Sequence, residues 1–194
     1  QNFFVGSQKV PVLNYFVIGK EPDPRADRLQ SLELLLKNGA SPNTQSDVTM
    51  QLEGLASVLY ASYNGDTKAF ELFLQNGADL NLQEEKYAGL YGPPLAVAQN
   101  SQIADLIIKA GYDIQSKDAK GRSLLDLLLQ SALSGDRILE RLQWMKSKGF
   151  PFASDSKELA AARKKAQGTL SLFQDKNSNP EQTQAWAQIV KLLE

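Results

Sequence analysis

Histidine and cysteine are both absent from this 194-residue chain. Without them the usual general base, the thiolate nucleophile, the disulfide and the soft metal ligands are all missing. No Gly-rich phosphate loop of the GxxxxGK[ST] kind occurs either. No run of eighteen apolar residues is present, which excludes a membrane-spanning helix of ordinary composition. Phe3-Phe4-Val5 is far too short for that role, and is expected to cover the open apolar side of the first structural unit. The chain begins at Gln1, which fits either a trimmed chain or a mature product whose targeting peptide has been removed. The second case predicts a periplasmic location and the first a cytoplasmic one, and lack of cysteine leaves the redox compartment undetermined.

Charge of one sign is also lacking, since the net charge is −1. No global field therefore advertises a polyanionic partner. The distribution is uneven: residues 1–116 hold 8 basic and 13 acidic side chains, whereas residues 117–176 hold 12 basic and 7 acidic. That asymmetry is either incidental to a solvated surface or a means of steering a partner of opposite dipole. Arg163-Lys164-Lys165, with Lys157 nearby, is the best cationic cluster for phosphate contact. Three adjacent helical positions point in three directions, and no aromatic residue interleaves to stack on bases, so no nucleic-acid partner is expected. Paired acids occur at Glu84-Glu85 and at Asp23 with Asp27, without a companion group to separate their pKa values. They read as solvated loops, and neither catalysis, cofactor nor metal is expected.

What the chain does have is repetition. Four apolar segments end on glycine, at Leu36-Lys37-Asn38-Gly39-Ala40, Leu74-Gln75-Asn76-Gly77-Ala78, Ile108-Lys109-Ala110-Gly111-Tyr112 and Met145-Lys146-Ser147-Lys148-Gly149-Phe150. The glycines fall 38, 34 and 38 residues apart, so one unit has been copied along the chain. A glycine just past a helix takes the left-handed conformation without steric cost, which marks each site as a helix end. With 42% apolar residues, the chain predicts one elongated, mostly helical domain with a continuous core.

The units match one another in parts. Asp113-Ile114-Gln115-Ser116-Lys117-Asp118-Ala119-Lys120-Gly121-Arg122-Ser123-Leu124-Leu125 resembles the D-V-N-x-x-D-x-x-G-x-T-P-L pattern of ankyrin repeats. Unit two carries Asn64-Gly65-Asp66 twelve residues before Gly77, and unit three reads Pro93-Pro94-Leu95-Ala96-Val97-Ala98. Unit one has Pro11, then Leu29, Leu32, Leu35 and Leu36 before Gly39-Ala40-Ser41-Pro42-Asn43. The resemblance covers roughly residues 9 to 153 and rests on recurrence rather than on any single motif. Departures are clear: the family's histidine is replaced by Leu13, Leu59, Ala96 and Asp126, and units one and four carry inserts at residues 19–27 and 131–136. Ser123 and Asp126 are expected to form a capping pair at that corner.

The resemblance implies an all-α fold, an ankyrin-repeat solenoid of stacked helix-turn-helix units with projecting loops. Its repeats are placed at approximately 9–43, 44–81, 82–115 and 116–153, within residues 1–153. Residues 154–194 predict a helical hairpin cap or degenerate fifth repeat. There Asp155-Ser156-Lys157-Glu158 resembles a capping box, and Leu159, Ala162, Ala166, Leu170 and Phe173 recur at helical spacing. After the polar residues 175–179, Pro180 suits a first helical turn and Trp186, Ile189, Val190 and Leu193 form one apolar stripe. That stripe is expected to pack on the neighbouring repeat.

In such stacks the connecting loops and first helices bind other proteins. The candidate partner-binding residues are therefore Glu84, Glu85, Tyr87, Leu90 and Tyr91 in the finger between units two and three, Tyr63 and Asn64 at the end of a first helix, Lys120 and Arg122 at the fourth finger tip, and Gln130. Tyrosine buries large area at small conformational cost and keeps a hydroxyl for bonding. Tyr87, Leu90 and Tyr91 are either that anchor or side chains folded back onto their own helices. The expected function is non-catalytic protein binding, by a monomer or a heterodimer with its partner. The chain looks like small bacterial ankyrin proteins that neutralise a toxin or a secreted enzyme such as a lipase. A scaffolding subunit that self-associates is the alternative, and a carboxylate-based enzyme a remote one.

Overall fold

The computed structural model describes residues 2–5, 8–17, 27–45, 56–80, 94–115, 117, 120–130, 133–150, 152, 156–176 and 179–194. They are mostly helical and belong to two compact units, Gln1–Gly121 and Arg122–Glu194. The boundary falls inside the fourth predicted repeat, ahead of its helices, so those helices group with the C-terminal hairpin instead of with the first three repeats.

The first unit opens with an antiparallel strand pair, β1 (Asn2–Val5) and β2 (Gln8–Pro11), with Asn2 opposite Pro11 and Val5 opposite Gln8. Phe3, Phe4, Val5 and Val10 are aromatic or β-branched residues that favour extended backbone, so the all-α expectation has this short exception. Pro11, held at φ −56°, then leads into a 3-10 helix (Val12–Phe16). Among the described residues five helices follow: α1 (Arg28–Lys37), α2 (Ser57–Asn64), α3 (Thr67–Gln75), α4 (Pro94–Val97) and α5 (Ser101–Lys109). They pack as consecutive pairs, the 3-10 helix with α1, α2 with α3 and α4 with α5. The pairs also meet like to like: the 3-10 helix touches α2 and α2 touches α4, while α1 touches α3 and α3 touches α5.

Local chemistry explains these elements. Asp66 accepts the Ala69 N–H at 3.1 Å and Asn100 the Ile103 N–H at 2.9 Å, so each starts its helix by satisfying an otherwise free donor. Ala69, Phe70 and Phe73 on α3, and Ile103, Ala104 and Ile107 on α5, are wholly buried on one face. Each large apolar side chain removed from water in this way contributes about 1.5–3 kcal/mol before ordering costs. From cap to terminal glycine both helices count the same, 66 to 77 and 100 to 111.

All four predicted glycine endings have one geometry. Gly39, Gly77, Gly111 and Gly149 lie at φ between +79° and +94°. At each, the glycine N–H donates to the carbonyl three residues back, and the next N–H to the carbonyl five residues back, as in Ala40 to Leu35 and Phe150 to Met145 at 3.0 and 3.1 Å. Asn38 and Asn76 repeat a further bond, each side-chain amide donating to the carbonyl four residues earlier at 2.8 Å.

The second unit holds α6 (Leu124–Gln130), α7 (Gly135–Ser147), α8 (Lys157–Lys176) and α9 (Pro180–Leu193). α9 packs on both α7 and α8, and α6 on α7 and α8. Ser123 and Asp126 form the expected capping pair: the Ser123 N–H and hydroxyl donate to Asp126 Oδ2 at 3.1 and 2.9 Å, and the Asp126 N–H donates to Ser123 Oγ at 3.1 Å. At α8 the cap stands one residue later than the predicted box. Ser156 Oγ accepts the Leu159 N–H at 3.2 Å, because the helix begins at Lys157 and Leu159 is then its third residue. Leu159, Ala162 and Ala166 are buried as expected, while Leu170 and Phe173 are half-buried. Trp186, Ile189 and Leu193 form the buried stripe of α9, and Val190 lies at its half-buried edge.

Candidate functional site

Ser62, Tyr63, Asn64 and Gly65 end α2 and do four different things. Ser62 is fully buried, and its carbonyl accepts the Gln99 N–H at 3.0 Å. Tyr63 points outward and is 42% exposed. Asn64 is half-buried and its side-chain amide donates to the Tyr60 carbonyl at 3.0 Å, closing the helix from outside. Gly65 turns the chain at φ +77°, and a Cβ there would stand 3.0 Å from Gln99 Cγ.

Asn100 completes the junction by donating from Nδ2 to the Gly65 carbonyl and to Thr67 Oγ1, both at 3.3 Å. The end of α2 is thereby held against the turn before α5. Tyr63, Asn64, Gln99 and Asn100 make an uncharged edge of one aromatic ring and three amides, anchored by backbone bonds. Such an edge offers ring area and hydrogen-bonding groups and carries no formal charge on these four side chains.

Below this edge lies a group that sequence reading missed. Arg28, 3% exposed, donates to Asp66 from Nη1 at 2.5 Å and from Nη2 at 3.5 Å, and from Nη1 to the Phe16 carbonyl at 2.8 Å. Asp66 also caps α3. One ion pair therefore ties the 3-10 helix, α1 and α3 together. A second tie uses Asn43, whose Nδ2 donates to the Gly77 carbonyl at 3.0 Å and whose Oδ1 accepts the Asp79 N–H at 2.9 Å. These ties fix successive helix ends, and with them the exposed positions.

Of the other predicted contact residues, Lys120 is exposed beside Gly121, whose φ is +74°. Arg122 is half-buried, and Gln130 is exposed at the end of α6. Lys120 belongs to the first unit with Tyr63 and Asn64, whereas Arg122 and Gln130 belong to the second. Glu84, Glu85, Tyr87, Leu90 and Tyr91 lie outside the described residues. So does Asp23, while Asp27 is an exposed residue at the start of α1 whose carboxylate makes no capping bond.

The basic cluster of α8 does not act as one. Arg163 donates from Nε to the Leu193 carbonyl and from Nη2 to the carbonyls of Phe152 and Glu194 at 3.3 and 3.2 Å. It neutralises the electronegative end of α9, and only Lys157, Lys164 and Lys165 remain exposed. On α7, burial pushes the Arg141 guanidinium below its usual pKa. Asp136 moves below the ordinary carboxylate value because hydrogen bonds from Ser134 and then Gln182 favour its charged form.

Exposed apolar side chains that sequence reading did not single out are Tyr15 and Leu34 in the first unit and Leu172 in the second, each at least 60% exposed. Tyr15 stands edge-on to Phe16 with ring centroids 5.4 Å apart, and its place in the helix after Pro11 was the available signal. Near the end of α8 and the start of α9, a hollow of about 420 Å³ is lined by Phe173, Gln174, Pro180, Thr183, Gln184 and Ala187. Among the described residues no group of three or more acids is placed to hold a metal ion, and no helix is long and apolar enough to cross a membrane.

The sequence matches no protein-family model and no curated protein.

Proposed function

We propose that this chain is a non-catalytic protein-binding module of ankyrin-like construction, gripping a partner through the ends of its first helices and the loops between its repeats. The observation that carries the reading is the shared geometry of four helix endings at Gly39, Gly77, Gly111 and Gly149, combined with like-to-like packing of three successive helix pairs in the first unit. Repeats of that kind hold a constant frame while their exposed positions vary, which suits recognition of another macromolecule. Tyr63 supports the same reading, because a 42% exposed tyrosine on an edge fixed by Asn64, Gln99 and Asn100 is a rigid anchor of low entropic cost. Lys120, Arg122 and Gln130 add charge and amide contacts, and Glu84, Glu85, Tyr87, Leu90 and Tyr91 supply the finger between the second and third repeats.

The narrower proposal is an inhibitor or immunity role, in which the module neutralises a toxin or a secreted enzyme such as a lipase. It rests on the likeness to small bacterial ankyrin proteins.

Co-purification from the native cell tests both levels. The wild-type chain should retain one protein in stoichiometric amount. Tyr63→Ala, and separately Tyr87, Leu90 and Tyr91 changed together to Ala, should release it with the melting temperature nearly unchanged. Retention by both variants would remove these residues from the site. A captured protein with a hydrolytic or toxic activity that the module leaves intact would sink the inhibitor role alone.

A further inference from the structure

We draw no further inference here: the strongest candidate, the outward face of α8 carrying Lys165, Gly168 and the exposed Leu172, is an unpartnered helix face, and nothing in the structure shows what covers it.

Discussion

Arg28 and Asp66 stand 38 residues apart in sequence and share a buried ion pair with Nη1 2.5 Å from Oδ2. Removing one member strands the other charge away from water, which costs about 3–5 kcal/mol. Asp66→Ala loses the α3 cap as well, worth about 1 kcal/mol. Asp66→Asn keeps a capping oxygen for Ala69 but loses the charge and sets an amide donor where Oδ2 accepted from Arg28 Nη1. Urea denaturation should therefore rank the first unit's stability as wild type, then Asp66→Asn, then Asp66→Ala. Equal stability of all three would show that the pair contributes nothing to the fold of the first unit.

Gly77 sits at φ +79° with nothing within 4 Å of an added Cβ. Gly77→Ala therefore meets no neighbour, and its whole cost is the left-handed backbone, about 1–2 kcal/mol. Asn tolerates that region better, so Gly77→Asn should recover part of the loss. The two midpoints in a urea titration decide it, and an unchanged midpoint for Gly77→Ala would contradict the cap geometry.

Two glycines of the second unit should respond to alanine with opposite signs. At Gly135 an added Cβ would lie 3.0 Å from Gln182 Oε1 and from Trp186 Cδ1 and Nε1. Trp186 is buried, and Gln182 Oε1 already accepts the Gly135 N–H at 2.6 Å, so neither group can yield freely. Overpacking of this kind costs about 1–3 kcal/mol. At Gly168, inside α8, nothing lies within 4 Å, and alanine gains helix propensity of about 1 kcal/mol. Calorimetry of the two variants should show one melting below wild type and the other above it.

Asp136 links stability to acid. Its carboxyl lies below the ordinary value through bonds from Ser134 and Gln182, the latter with Gln182 Nε2 donating to Oδ1 at 3.1 Å. A carboxyl held lower in the fold than in the unfolded chain adds stability at every pH above its unfolded value. That addition disappears as pH falls through the folded value. Asp136→Asn keeps an acceptor for Gln182 and cannot titrate. The melting temperature of wild type should exceed that of the variant near neutral pH, and the gap should close below about pH 4, where carboxyls protonate. A gap independent of pH would assign the effect to packing.

The legible part of this protein was its local part. A glycine after an apolar helix, a serine three residues before an aspartate, and a proline after an asparagine each act through bonds reaching at most five residues. Gly39, Gly77, Gly111, Gly149, the Ser123–Asp126 pair and the helix start at Pro180 could all be read from the sequence. The apolar stripe of α9 was legible for the same reason, because period alone puts Trp186, Ile189 and Leu193 on one face.

What only the tertiary structure decided depends on partners distant in sequence. Nothing near Arg28 indicates that it is buried against Asp66, and nothing near Asn43 indicates that it reaches Gly77 and Asp79. Arg163 read as a surface cation and proved to hold the end of α9, 30 residues on. The candidate site divides the same way: the type of residue at Tyr63 was visible in the sequence, but its exposure and its fixed neighbours Gln99 and Asn100 were not. Backbone geometry at a helix end is set by its own few residues, whereas exposure and charge pairing are set by whichever segment the packed core brings alongside.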